Sequence, residues 1–244
     1  MDVAIAGKTG SGKTTLAALV ALACAAAGRK VVAVDTDDPP NLGLTLGTGD
    51  GRPPVPRALA RGRGGGGITV ERLLHGYGSP APGGVTLLHA LRADEDEPAC
   101  GCAGHSSARS LLAAALHEMF DLVVLDLEAG LAHVRRAEGT LAAVDALLVV
   151  VDPSRKSQVT AARTVERAAA AGVAPVALVG NRAVDGDDDA FGRAAARLGV
   201  PLAGVVPFSA PLAEADRAGR GIEPVPEDVR TAVGAVVAWL LPPP

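Results

Sequence analysis

The run Gly7-Lys8-Thr9-Gly10-Ser11-Gly12-Lys13-Thr14 fits the spacing G-x-x-x-x-G-K-S/T, and residues of these types at these intervals are suited to holding a polyphosphate. Glycines let the backbone fold round phosphate oxygens with its N–H groups pointing inward. A helix opening at the end of the run adds the positive end of its dipole. In that arrangement Lys13 reaches the β and γ phosphates, and the Thr14 hydroxyl ligates Mg²⁺. Lys8 is a second lysine inside the same loop. Two cations crowded on the same phosphates would repel, so Lys8 is expected to point outward.

Carboxylates follow two apolar runs, in Val34-Asp35-Thr36-Asp37 and in Val124-Leu125-Asp126-Leu127-Glu128-Ala129-Gly130. Ligands of open α/β sheets bind at the carboxyl ends of the strands, a location that suits these carboxylates to catalysis. Asn181, in Val179-Gly180-Asn181-Arg182-Ala183-Val184-Asp185, is expected just after another strand. GTP-binding proteins use N-K-x-D, whose aspartate accepts hydrogen bonds from guanine. Val184 stands at that position here and cannot accept one, so ATP is favoured over GTP. Cys100-Gly101-Cys102 offers two thiolates, half of a tetrahedral soft-metal site, and a two-fold dimer would bring four together. Zn²⁺, Ni²⁺ or Cu(I) would each accept four thiolates; free or redox-active thiols are the alternative. His105 and His133 are either auxiliary ligands or surface and capping groups, and Cys24 is expected to act as a small buried apolar residue.

These residues need a scaffold that presents them on one edge. Valine-rich runs at Val3 to Ala6, Val31 to Val34, Val85 to Leu88, Leu122 to Leu125, Ala146 to Val151, Val176 to Val179 and Val205 to Val206 read as buried parallel strands. Alanine-rich stretches between them, Thr14 to Ala27, Ser107 to Met119, Ser157 to Ala171 and Asp189 to Leu198, read as crossover helices. The class is α/β, a mostly parallel central sheet flanked by helices on both faces. The expected organisation is one P-loop domain over residues 1–244, interrupted at about 47–84 by a Gly/Pro-rich loop insertion holding Pro53, Pro54, Pro56, the run Gly64 to Gly67, Pro80 and Pro82. One short helix is expected inside it near Val70 to His75. The rest is either a lid or partner-facing segment or a disordered one.

Composition narrows the field further. A chain of 244 residues that is 48% hydrophobic can bury a sizeable core. Aromatics at 2% and a formal net charge of -4 argue against both a base-stacking platform and a binder of the nucleic-acid backbone. The longest apolar run, Leu16 to Gly28, is shorter than the roughly 20 residues that cross a bilayer. The N-terminus shows no secretory pattern, so a cytoplasmic protein with reduced thiols is expected.

On these residues the chain resembles the MinD, ParA and nitrogenase iron protein superfamily of P-loop ATPases, whose deviant Walker A loop carries an additional lysine. The resemblance implies that Lys8 reaches across a two-fold interface to the nucleotide of the partner subunit. It implies that Asp37 is the switch I residue positioning or deprotonating the attacking water, and that Asp126 is the Walker B residue holding Mg²⁺ through water. The Gly130 N–H would sense the γ-phosphate within switch II. Asn181 would hydrogen-bond adenine, Pro207 to Pro211 would flank the same pocket, and Gly7 through Thr15 would surround the phosphates. Family members commonly carry Gly where this chain has Thr9, and a left-handed backbone there would cost a β-branched residue about 1 to 2 kcal/mol.

A narrower resemblance is to the CooC-type ATPases, maturation factors associated with nickel insertion into carbon monoxide dehydrogenase. Gly7 to Thr15, Asp35 to Asp37 followed by Asn41-Leu42-Gly43, Cys100-Gly101-Cys102, and Asp126 to Gly130 with His133 carry it. It implies a homodimer that closes on Mg-ATP and holds one Ni²⁺ or Zn²⁺ on the thiolates of Cys100 and Cys102. Hydrolysis opens the dimer, and a client metalloenzyme such as carbon monoxide dehydrogenase receives the ion, with neither nucleic acid nor membrane as partner. A positioning or partition ATPase of the MinD and ParA kind is the second reading. Membrane forms of that kind need a terminal amphipathic helix with basic residues, whereas Val229 to Leu241 contains only Arg230. An iron–sulfur reductase would need two well-separated cysteines per chain, which Cys100 and Cys102 fit poorly.

Overall fold

In the computed structural model, residues 1–37, 40–49, 51–53, 55, 69–89, 116–127 and 144–241 are described. The valine-rich runs form the strands β1 (Asp2–Gly7), β2 (Val31–Asp35), β4 (Thr86–His89), β5 (Leu122–Asp126), β6 (Ala146–Val151), β7 (Val176–Ala183) and β8 (Leu202–Pro207). Together with the short β3 (Ser79–Pro80) they make one sheet in the order β3-β4-β2-β5-β1-β6-β7-β8, with β3 antiparallel to β4 and every other pairing parallel. The helices are α1 (Lys13–Ala26), α2 (Leu42–Leu46), α3 (Val70–Tyr77), α4 (Arg155–Ala170), α5 (Asp188–Leu198), α6 (Ala210–Arg217) and α7 (Glu227–Leu240).

Alternate residues of each strand enter different cores, as a pleated strand buried on both faces requires. Val3 and Ile5 of β1 pack with α1 and α7, through Leu16, Val20, Val233 and Val236. Ala4 and Ala6 face α4 and α5, through Ala161, Val165, Phe191 and Ala194. A third cluster joins Val32 and Val34 of β2 to Val70 and Leu73 of α3. Cys24 is fully buried in α1, and burial pushes its thiol up to about 11, which suits a small apolar residue.

The parallel register sets the site. Ile5 pairs with Asp126, Asp126 with Asp35, and Asp35 with His89, so the carboxyl ends of β1, β5, β2 and β4 lie level. The strand order reverses on either side of β1, where ligands of open α/β sheets bind.

The structure departs from the sequence expectations at several edges. β7 continues through Asn181 to Ala183, so Asn181 lies within the strand instead of after it. The register between β7 and β8 breaks between Gly180 and Ala183, where Arg182 adopts a left-handed φ of 57°. β8 is longer than Val205 to Val206, and α2 and β3 had no clear signal. The short helix near Val70 to His75 is α3, capped by Thr69, whose hydroxyl accepts the Arg72 N–H. Of the expected helix Ser107 to Met119, residues 107–115 lie outside the described residues, and Leu116 and His117 are helical. No helix among the described residues is long and apolar enough to cross a membrane.

Candidate nucleotide site

Between β1 and α1 the loop folds back on itself, with the Ser11 N–H donating to the Lys8 carbonyl at 3.0 Å. Its left-handed positions fall on Gly10 (φ 79°) and Gly12 (φ 92°), and Arg182 is the only described non-glycine residue with positive φ. Thr9 therefore escapes the strain that a left-handed position would impose on it. Gly7 is needed for a different reason: a Cβ there would stand 2.7 Å from the Val150 carbonyl oxygen and 2.8 Å from Ser11 Oγ. Lys13 is buried at the start of α1, whereas Lys8 lies on the exposed side of the loop and donates its ammonium to the Thr9 carbonyl at 2.9 Å.

Asn181 closes the back of the loop. Its amide Nδ2 donates to the Ser11 carbonyl at 2.8 Å, and a Cβ on Gly12 would meet that same nitrogen at 2.1 Å. Pro207 ends β8, the strand next to the one that holds Asn181.

Facing the loop are three carboxylates. Ligand atoms of Asp35, Asp37 and Asp126 lie within 4.8 Å of one another. Asp35 is occupied structurally: Oδ1 accepts the Asp37 N–H at 2.9 Å, and Oδ2 accepts the N–H groups of Asn41 and Leu42, each at 2.8 Å. Thr36 ties the same segment to β5 by donating its hydroxyl to the Asp126 carbonyl at 2.7 Å. The Asp126 carboxylate itself is fully buried, and both of its oxygens lack a close hydrogen-bond partner. Burial, reinforced by the charges of Asp37 and Asp35, pushes its carboxyl up to about 7, against the opposing influence of the neighbouring Thr14 hydroxyl and the Lys13 ammonium.

A buried carboxylate with two unsatisfied oxygens, beside a threonine hydroxyl and two further carboxylates, is a set of hard oxygen donors. It fits Mg²⁺, which prefers oxygen ligands and keeps part of its water shell. Of these residues, Thr14 and Asp37 open onto a cavity of about 370 Å³, lined also by Thr9, Gly10, Lys13 and Thr15, within the size range of small-ligand pockets.

Neither His89 nor the lining residues contributed by the end of α6 and the turn after it stand out in the sequence reading. His89 ends β4 beside Asp35, is buried, and has no hydrogen-bond partner on either ring nitrogen among the described residues. Its signal was available, since it closes an apolar run as Asp35 and Asp126 do. Asp216 and Arg220 also line the cavity, but no motif marks them. Cys100, Cys102, His105, Gly130 and His133 lie outside the described residues.

A glycine loop between the first strand and its helix, facing carboxylates at the ends of neighbouring parallel strands, defines a P-loop nucleotide-binding protein. The chain belongs to the family described as CobQ/CobB/MinD/ParA nucleotide binding domain, which matches residues 3–222, and it is an ATPase of that family. It is 30% identical to the carbon monoxide dehydrogenase accessory protein CooC of Rhodospirillum rubrum, over 99% of this chain and 96% of that protein. It is 29% identical to an ATP-binding protein of Methanocaldococcus jannaschii, over 91% of each chain. Among solved structures, it is similar to the cell division protein MinD of Aquifex aeolicus, with a TM-score of 0.76 at 19% identity over 100% of this chain and 97% of that one. It is also similar to MinD of Pyrococcus horikoshii complexed with Mg-ADP, with a TM-score of 0.73 at 22% identity over 99% and 96%. The MinD likenesses concern the fold.

Proposed function

We propose that this ATPase is a dimerising metallochaperone: ATP closes two subunits, and the closed pair holds one soft metal ion, its cargo, on Cys100 and Cys102 of each chain. The observation that carries the reading is the similarity to CooC along nearly the whole chain. Nickel delivered to a metalloenzyme such as carbon monoxide dehydrogenase, in the cytoplasm, is the corresponding cargo and client.

Within each subunit the residues divide the work. The backbone of Gly7 to Thr15 wraps the phosphates, and Lys13 balances the charge that gathers on the β and γ phosphates during transfer. Asp37 orients the attacking water and accepts its proton. Thr14 and Asp126 hold Mg²⁺, which when bound adds further neutralisation of the phosphate oxygens. Asn181 exchanges its contact with the Ser11 carbonyl for the adenine edge, with Pro207 beside it, and the Gly130 N–H reads the γ-phosphate. Lys8, on the open side of the loop, reaches the nucleotide of the partner subunit. Hydrolysis withdraws these cross-contacts, the subunits part, and the cargo loses half of its thiolates. Because soft divalent metals bind thiolate sites with roughly 10 to 16 kcal/mol at neutral pH, such a loss of ligands is an effective route to release.

Metal analysis of the Cys100→Ser, Cys102→Ser double variant tests the role. With a non-hydrolysable ATP analogue present, the variant is expected to bind nucleotide with wild-type affinity and no metal. Undiminished metal content would exclude the cysteine pair and turn attention to the positioning-ATPase reading.

A further inference from the structure

The cavity in front of the phosphate loop has a second wall that the motifs leave unassigned. It is formed by the last turn of α6 and the turn that follows it, where Asp216 and Arg220 line the same space as Lys13 and Asp37. The turn is built with definite geometry. The Arg220 N–H donates to the Ala215 carbonyl at 2.9 Å and the Gly219 N–H to the Asp216 carbonyl at 3.1 Å, with Gly219 left-handed at φ 60°, the pattern of a glycine-terminated helix.

This turn is also fastened to the element behind the Asp37 loop. The Ile222 N–H donates to the Thr45 carbonyl at 3.0 Å, and a Cβ on Gly221 would lie 2.8 Å from Gly47 Cα, so the two backbones are in direct contact. Only glycine fits at 221. Arg220 is thereby held opposite the phosphate loop by α2, whose first N–H groups are in turn held by Asp35. Its guanidinium makes a long ion pair with Glu214, Nη2 to Oε1 at 3.9 Å, and both side chains are exposed, so the pair is weak and is readily given up for a phosphate.

We propose that Arg220 is a second-wall phosphate ligand, closing on the nucleotide polyphosphate from the side opposite the loop backbone and transmitting its presence through α2 to the Asp37 loop. A planar guanidinium suits paired phosphate oxygens, and Arg220 lines the same cavity as Lys13. The role rests on the nucleotide reading above.

Calorimetric titration of the full chain with the non-hydrolysable analogue AMP-PNP tests it, alongside steady-state hydrolysis and the melting temperature of the nucleotide-free protein. Arg220→Ala is expected to weaken AMP-PNP roughly tenfold and to raise KM for ATP more than it lowers kcat. Arg220→Lys is expected to fall between Ala and wild type, and the melting temperature should stay unchanged, since the side chain is exposed. The role is overturned by an Arg220→Ala affinity within twofold of wild type, or by a loss that Lys reproduces in full together with a lowered melting temperature. A wild-type chain that takes up no AMP-PNP would instead remove the nucleotide reading, and this role with it.

Discussion

Asp126 carries the most strained electrostatics among the described residues of the site. Its carboxylate is fully buried, has no close hydrogen-bond partner and lies beside two other acids, so the ion-free protein holds a charge it cannot solvate. Burial pushes the carboxyl up to about 7, above its ordinary value of 3.8. The folded chain thus binds a proton that the unfolded chain has released, and the associated stability is present below about pH 4 and lost as pH rises through 7. In chelator at pH 8, Asp126→Asn is expected to stabilise the nucleotide-free protein by roughly 2 to 4 kcal/mol. The gain should shrink toward pH 5, and ATP hydrolysis should fall at least about a hundredfold. Urea unfolding across that range measures the first effect; a variant less stable than wild type at pH 8 would show that the charge is already compensated.

At the scale of elements, the decisive piece is the connection from β2 to α2. Asp35 gathers three backbone N–H groups, from Asp37, Asn41 and Leu42, and so fixes both the Asp37 loop and the first turn of α2. Charged hydrogen bonds of this kind contribute about 1.5 to 3 kcal/mol each, net of the bonds to water that they replace, and they are not additive. Asp35→Ala is therefore expected to cost about 2 to 4 kcal/mol of stability and to lower kcat well below wild type. AMP-PNP binding should weaken no more than roughly tenfold, the loss expected of Arg220→Ala, because the loop from Gly7 to Thr14 is untouched; unfolding curves and single-turnover rates separate the two effects. Long valine runs and the phosphate-loop spacing made the parallel sheet and its ligand edge legible in the sequence, since uninterrupted β-branched residues leave few other solutions. Pieces held by tertiary contacts were not legible. α2 has five residues and depends on the Asp35 carboxylate, β3 is two residues paired with β4, and Arg220 reaches the cavity only because Gly221 lies against Gly47. Asn181 was read as a residue beyond its strand because the apolar run stops at Val179, and the Gly-Asn-Arg that continues β7 carries no strand signal.

On the scale of the whole molecule, two surfaces bear on what the ATPase drives. The C-terminal helix α7 directs Val229, Val233, Val236 and Leu240 into the core, close enough that a Cβ on Gly204 would meet Val236 Cγ2 at 2.8 Å. Its apolar face is thus engaged with β8 and α1 in the described fold. The other surface is the edge bearing Lys8, whose ammonium reaches no farther than the adjoining Thr9 carbonyl within one subunit. In the proposed dimer, Lys8 acts on the nucleotide of the subunit opposite it. Native mass spectrometry of the chain with AMP-PNP, Mg²⁺ and Ni²⁺ tests this central claim most directly. The account predicts a dimer carrying two nucleotides and one nickel ion, which falls to monomer when Lys8 is changed to Ala. A nucleotide-loaded monomer that holds its own nickel ion would contradict it.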